Sequence, residues 1–153
     1  MSARTGARTG GVRMDLERVR EFLLRLPAVT ETMQWGAKLV FRVGDKAIGG
    51  KMFAVADLDG TDKVVLSFAA GPEQFAALLE RQGVLPAPYL ARAHWVALER
   101  WNALEPAELM ELLARARDLT HGKLPRRTRE ILADPGWRRP KTVMRKSAGT
   151  GVP

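Results

Sequence analysis

The sequence predicts an α+β fold in which three helices pack on one face of an antiparallel β-sheet. Three observations lead to this prediction: short segments of alternating apolar and polar residues, brief turn signals between them, and amphipathic segments with helical spacing. Such short turns favour antiparallel pairing, because a parallel pair needs a long crossover connection. With 153 residues, 46% of them hydrophobic, the chain has the size of one domain and enough apolar residues for a core.

Three segments, 15–26, 72–82 and 106–121, have the spacing of amphipathic helices. Asp15 is a good N-cap for the first helix, and a proline stands near the start of each of the other two. A glycine follows the second and third helices, as is common at helix ends. The segment KLPRRTREIL, 123–132, adds a helical turn or two.

The alternating segments predict four strands: KLVFRV (38–43), KMFAVA (51–56), KVVLSFA (63–69) and HWVAL (94–98). Residues 29–36, VTETMQWG, are predicted to form a loop. The resulting order of helix, strands, helix, strand and helix is that of an α+β domain.

Basic residues are concentrated at the two ends of the chain. The formal net charge is +8, but residues 1–13 hold three arginines and no acid, and residues 123–153 hold nine basic and two acidic residues. The remaining 14–122 has 13 basic and 15 acidic residues, so its net charge alone does not attract phosphate. We expect a disordered basic arm over 1–13, one domain over 14–132 and a disordered basic tail over 133–153.

Several kinds of site are excluded by what the sequence lacks. It has no cysteine, which rules out disulfides and thiol catalysis, and no apolar run approaches the roughly 18 residues of a membrane helix. Two histidines 27 positions apart do not resemble a zinc site. The residues around Lys51 do not fit the phosphate-binding loop, and no nucleophile elbow surrounds Ser67. We therefore expect a non-enzymatic, cytoplasmic protein without metal, cofactor or membrane partner.

The stretch 85–101, LPAPYLARAHWVALERW, concentrates aromatic and imidazole side chains. Pro86 and Pro88 favour an extended backbone, which would send Tyr89 and Leu90 back over the helix layer. The stretch is therefore predicted to be architectural in the first place, with a tryptophan that enters the sheet.

The same aromatic residues support an alternative interpretation, a binding pocket. Its members would be Trp35, Tyr89, Arg92, His94 and Trp95. Trp95 is expected to be largely buried, and Arg92 and His94 are the members best suited to face a ligand. Glu31 and Trp35 could form part of a binding rim, or the tryptophan could simply cover the end of the core.

Several motifs occur in the order found in the MmcQ/YjbR-like family: ETMQWG, FRVG followed by GGKMFA, PAPYLARAHWVAL, and a helix of the form EL…LL that ends in GKLP. The resemblance covers roughly residues 14–126, and its most specific parts are 50–54, 86–95 and 123–125. One departure is DKAIG, 45–49, which separates two motifs that almost adjoin in the family. It indicates a longer hairpin or a bulge.

The resemblance implies a CyaY-like, double-wing fold and a DNA-binding function. The residues expected to contact double-stranded DNA are Lys51, Arg92 and Lys123 from the matching motifs, and Arg126, Arg127, Arg129, Arg138 and Arg139 from charge alone. Binding would be weak and largely electrostatic, with the terminal arms making most of the phosphate contacts. The alternative is a small-molecule or protein-binding module that uses the aromatic residues above. The sequence does not indicate an oligomeric state.

Overall fold

Seven strands and four α-helices lie in residues 13–141 and 143–144, the part of the chain that the computed structural model describes. The helices are α1 (Leu16–Arg25), α2 (Pro72–Leu79), α3 (Pro106–Gly122) and α4 (Arg126–Ala133). The strands are β1 (Val29–Gln34), β2 (Lys38–Val43), β3 (Lys51–Asp57), β4 (Leu66–Ala69), β5 (Val84–Pro86), β6 (Trp95–Leu98) and β7 (Val143–Met144). Two single 3-10 turns span Lys46–Ile48 and Ala91–Ala93.

The described strands form one sheet in the order β5-β6-β4-β3-β2-β1-β7. Neighbouring strands are antiparallel except β1 and β7, which pair in parallel. The predicted α+β class and antiparallel sheet are therefore confirmed, with a short parallel strand added at one edge.

The helices cover one face of the sheet. Helix α3 contacts β2, β3 and β4 and buries Leu109, Leu113 and Ala116, whose spacing puts them on one side of a helix. Helix α1 packs against β1 and α3, while α2 packs against β5 and β6. The main core lies between the two layers and includes the fully buried Phe41 and Phe53.

The opposite face of the sheet carries a smaller apolar cluster. Its buried members are Val64, Ala87, Trp95 and Ala97. Leu90 packs on this cluster, and the N–H of Ala87 donates to the carbonyl of Trp95 at 3.0 Å, which holds the β5–β6 connection beside β6. For this reason Tyr89 and Leu90 lie over the face opposite the helices, and their predicted position over the helix layer is wrong.

Strand β1 occupies Val29–Gln34, so the predicted loop over 29–36 is wrong. The strand pairs with β2 along its whole length. Its alternation is masked because Glu31 occupies a core-side position, where its carboxylate is bound by the Arg20 guanidinium of α1. A polar residue at a buried position hides the period of two that would otherwise reveal a strand.

The other strand predictions are close to the structure. The predicted strands over 38–43, 51–56 and 94–98 differ from β2, β3 and β6 by at most one residue at an end. The strand predicted over 63–69 is shorter and begins at Leu66.

The three predicted helices are present, and the described residues contain a fourth. The segment 123–132 was predicted to add a helical turn or two, and the structure has the eight-residue helix α4 from Arg126 to Ala133. The Thr128 hydroxyl donates a 2.6 Å hydrogen bond to the carbonyl of Ile48. Helix α4 is thereby attached to the connection between β2 and β3.

The extra segment 45–49 forms a single 3-10 turn in that connection. Gly44 and Gly49 have φ angles of 75° and 88°, a region that favours glycine. A Cβ on Gly50 would lie 2.5 Å from the Gly44 carbonyl carbon. The close approach of the two backbones therefore requires glycine, and it brings Lys51 directly next to this turn.

The predicted arm falls almost entirely outside the described residues, and the predicted tail falls about half outside them. Residues 1–12 of the arm and residues 142 and 145–153 of the tail are not described. Within the described part of the tail, Val143 and Met144 pair with β1.

Candidate functional site

Lys51 and Lys123 lie together, although they are far apart in sequence. They line a small pocket of about 150 Å³ between the start of β3 and the end of α3. Both side chains belong to exposed residues without an ion pair or a side-chain hydrogen bond in residues 13–141. Ala93, next to Arg92, lines the same pocket. Arg92 is likewise exposed and unpaired in that part of the chain.

Helix α4 begins three residues after Lys123 and carries further basic side chains. Arg127 and Arg129 are exposed and form no ion pair with the described residues. Arg126 differs, because its Nε lies 3.1 Å from a carboxylate oxygen of Glu130. We call the five exposed, unpaired residues Lys51, Arg92, Lys123, Arg127 and Arg129 the basic end.

The pKa of His121 is affected by nearby basic residues. Burial is the main cause that lowers its pKa, and the positive charges of Arg117 and Arg129 lower the pKa further. Asp118, which is paired with Arg117 at 3.0 Å, acts in the opposite direction, so of the two arginines only Arg129 has no acidic partner in the described residues.

Arg138 and Arg139 are not counted in the basic end, because their guanidinium groups are bound to backbone carbonyls. Arg138 donates to the carbonyls of Pro135, at 2.8 Å, and Trp137. Arg139 donates to the carbonyl of Leu24 in α1. Of the eight basic residues predicted to contact DNA, five form the basic end, Arg126 is paired on α4, and these two bind backbone oxygens.

A second site, which we call the aromatic pocket, lies on the sheet face opposite the helices. Its volume is about 200 Å³. It is lined by Trp35, Lys38, Met52, Val55, Asp57, Asp62, Val64, Ser67, Pro88, Tyr89 and Leu90. Trp35 is 61% exposed and Tyr89 is 94% exposed, so two large aromatic side chains stand in solvent at the rim of an apolar floor.

The other members of the predicted pocket are elsewhere. Trp95 is 6% exposed, as predicted, and lies beneath the β5–β6 connection. His94 is half-buried, and its ring meets the ring of Phe75 edge-on at 5.3 Å. Arg92 belongs to the basic end. The structure therefore brings together Trp35 and Tyr89 but separates them from Arg92, His94 and Trp95.

Both exposed aromatics occupy backbone positions that suit glycine or asparagine better. Trp35 has a φ of 49° in the turn between β1 and β2. Tyr89 has a φ of 67° and follows Pro88 in a turn closed by the hydrogen bond from the Leu90 N–H to the Ala87 carbonyl. A positive φ costs a bulky residue about 1–3 kcal/mol, and strained positions of this kind cluster at functional sites, although a type II turn also uses a positive φ. The turns themselves do not require aromatic side chains here.

One side of the aromatic pocket is formed by a cluster of one lysine and three aspartates. The Lys38 ammonium lies 2.7 Å from Asp57, 3.3 Å from Asp62 and 3.9 Å from Asp59. Burial alone would lower the pKa of Lys38, but hydrogen bonds to Asp57 and Asp62 outweigh burial and raise that pKa. Hydrogen bonds from Thr61 lower the pKa of Asp59 to about 2. Lys38 and Asp59 are therefore charged at neutral pH.

Local sequence patterns do not predict this cluster. The signal that could have revealed the cluster is the repeated aspartate at 57, 59 and 62. Pairing it with Lys38 also requires the register, in which Lys38 is the cross-strand partner of Asp57.

Glu31 is not part of a rim with Trp35. Its side chain is 1% exposed, and its carboxylate oxygens lie 2.9 and 2.6 Å from Nε and a terminal nitrogen of Arg20. Burial on the helix side of the sheet makes this ion pair a link between β1 and α1.

Two other classes of site are absent from the described residues. No group of three or more His, Asp or Glu side chains in residues 13–141 is arranged to hold a metal ion. No helix in the same residues is long and apolar enough to cross a membrane.

Comparison with known proteins agrees with the motifs and the fold. The structure is similar to the crystal structure of Deinococcus radiodurans protein DR2400, family domain DUF419, with 28% sequence identity and a TM-score of 0.67 over 78% of this chain and 88% of that chain. No curated protein matches the chain. Residues 24–119 match the YjbR family. Because this match spans well over half of the 153 residues, the chain belongs to the YjbR family.

Proposed function

We propose that this protein is a non-enzymatic DNA-binding protein that contacts duplex phosphates through the basic end. The observation that carries the proposal is the grouping of exposed basic side chains that lack acidic partners in residues 13–141. Such side chains are available to neutralise phosphates and to release their counterions. No base-reading element is proposed, so binding is expected to be weak and without marked sequence preference.

Several other basic residues in the segment 14–122 have acidic partners, and this contrast supports the proposal. Arg20 is bound to Glu31, Lys38 to Asp57, and Arg81 to Glu108. The segment 14–122 is net acidic, yet Lys51 and Arg92 at the basic end are exposed and have no acidic partner in residues 13–141. The local charge at the basic end therefore supports phosphate binding, although the net charge of residues 14–122 does not.

The terminal segments are proposed to add to this binding. Residues 1–12 contain Arg4 and Arg8, and residues 145–153 contain Arg145 and Lys146. These residues raise the total positive charge, so the affinity of the full chain should depend strongly on salt.

The experiment compares two full-length variants that each lose four positive charges. In the first, Lys51, Lys123, Arg127 and Arg129 are replaced by Gln. In the matched control, Arg18, Arg25, Lys63 and Arg115, all exposed and outside the basic end, are replaced by Gln. Affinity for a labelled DNA duplex is measured by fluorescence anisotropy over a salt series.

We expect the slope of log K against log[salt] to become flatter by about 0.9 for each phosphate that the first variant no longer neutralises. The control should stay close to the unmodified protein. Equal losses of affinity in both variants would mean that only total charge matters, and wild-type binding by the first variant would contradict a site at the basic end.

A second function, small-molecule binding in the aromatic pocket, is proposed because of one separate observation. Trp35 and Tyr89 are exposed, converge on the same pocket and stand at turn positions that do not favour them. Titration of the protein with small amphipathic compounds, followed by NMR signals of these two side chains, tests this function independently of DNA.

A further inference from the structure

We propose that the aromatic pocket binds the alkylated ammonium group of an organic cation. The inference rests on the second function proposed above, a small-molecule site in this pocket. It does not depend on DNA binding at the basic end.

Charge at the pocket favours a cation. Three aspartates surround one lysine, and the Lys38 ammonium is already bound to Asp57 and Asp62 at 2.7 and 3.3 Å. The cluster therefore keeps an excess of negative charge after its internal pairing. The side chain of Asp62 is 24% exposed and that of Asp59 is 47% exposed, so the excess charge can act on a bound group. An anion such as phosphate would be repelled.

The aromatic side chains supply the second element of a cation site. A positively charged group over the face of a Trp or Tyr ring is attracted by the electron density of that face, and alkylated ammonium ions are recognised in this way. Trp35 comes from the β1–β2 turn and Tyr89 from the β5–β6 connection, so two separate segments bring exposed rings to the pocket.

The size and lining of the pocket select the alkylated form. Met52, Val55, Val64 and Leu90 offer apolar contact on the lining. Methyl groups on the nitrogen can be buried there, whereas a bare ammonium against these apolar side chains would lose its hydration without a hydrogen-bond partner. A volume of about 200 Å³ fits a small headgroup and not a large ligand.

The test uses choline and its uncharged isostere 3,3-dimethyl-1-butanol as probes. Full-length protein is titrated with each compound at constant ionic strength, and the NMR signals of the Trp35 indole and the Tyr89 ring are followed. A third titration uses adenosine monophosphate, which offers a stacking base with an anionic phosphate.

We expect choline to shift both sets of signals and to bind at least about fivefold more tightly than the isostere. Equal binding of choline and the isostere would overturn the inference but leave a small-molecule site. Tighter binding of adenosine monophosphate would also overturn it and would indicate base stacking. No binding by any of the three probes would overturn both the inference and the proposed second function.

Variants separate the role of the rings from a role in folding. Tyr89→Trp should keep choline binding, whereas Tyr89→Leu, similarly apolar, should weaken it about fivefold or more because it has no ring face. Tyr89→Gly should lose binding with no loss of melting temperature, since glycine suits the positive φ of this position. Unchanged choline affinity in the Leu and Gly variants would contradict the inference.

A pair of aspartate variants tests the charge. Asp62→Asn should weaken choline binding and leave the binding of the isostere unchanged. Asp118→Asn is the matched control, because Asp118 is 73% exposed and lies on α3, outside the pocket lining. If both variants bind choline as the unmodified protein does, the aspartates do not select a cation.

Discussion

The basic end and the aromatic pocket differ in whether their charged side chains are paired. At the basic end, five basic side chains are exposed and have no acidic partner in the described residues. In the aromatic pocket, Lys38 is paired with Asp57 and Asp62, and the most exposed side chains are those of Trp35 and Tyr89. The net charge of +8 therefore does not predict the ligand of either site. The ligand preference of each site would depend on which of its own charged side chains are paired.

The two sites are also joined by shared structure. Met52 lines both pockets. Trp95 lines the pocket of Lys51 and Lys123 and packs against Leu90, the neighbour of Tyr89. Changes at these shared residues should affect both sites, whereas changes at either rim should affect one.

The largest effect is expected for Trp95→Ala. Removing this buried side chain, 6% exposed, should lower the free energy of unfolding by about 3–5 kcal/mol, as for large aromatics in other cores. Urea denaturation of the full-length protein measures this change. Trp35→Ala is the matched control and should change stability by less than about 0.5 kcal/mol, since Trp35 is exposed. If Trp95→Ala unfolds together with the wild type, Trp95 does not support the segment that carries Tyr89.

A smaller effect is expected for Lys38→Met. The side chain of Asp57 is 4% exposed, so loss of the ammonium leaves a nearly buried carboxylate without its cationic partner. This should cost about 1–3 kcal/mol in the free energy of unfolding, since the Asp57 carboxylate also accepts backbone N–H groups of residues 59, 60 and 62. Lys63→Met, at an exposed lysine, is the control. Equal stability of the two variants would show that the ion pairs of Lys38 do not stabilise the fold.

The smallest effect is expected at His121. Its pKa is lowered from the ordinary value of 6.5, so the folded state binds this proton less well than the unfolded state. The His121 contribution to stability is therefore unchanged above pH 6.5 and becomes unfavourable as the pH falls below that value. His121→Gln should reduce the loss of stability between about pH 6.5 and 5, measured by thermal unfolding. If the stability of this variant depended on pH as that of the wild type does, the lowered pKa of His121 would be contradicted.

Much of the fold could be predicted from the sequence, because its signals are local. Alternation around Trp95 predicts a buried strand residue, and Asp15 was correctly identified as the N-cap of α1, where it accepts from the Arg18 N–H at 2.9 Å. Strand β1 could not be found in this way, since Glu31 breaks the apolar pattern and is neutralised by Arg20, a residue outside the strand.

The sites depend on long-range pairing, which local patterns do not contain. The pairing of Lys38 with Asp57 follows from the register of β2 and β3, and the meeting of Trp35 with Tyr89 follows from two connections folding over the same sheet face. Residue type alone suggested both aromatics as pocket residues, but it also grouped them with Arg92 and His94, which the fold places elsewhere.

The most direct test of the separation of the two sites is an NMR titration of full-length protein with a short DNA duplex at low salt. We expect amide signals of the basic end and the His121 ring to shift, and the pKa of His121 to rise because phosphate compensates the charge of Arg129. The signals of Trp35 and Tyr89 should stay in place. Shifts centred on Trp35 and Tyr89, with the basic end unaffected, would contradict the assignment of DNA to the basic end and of a separate ligand to the aromatic pocket.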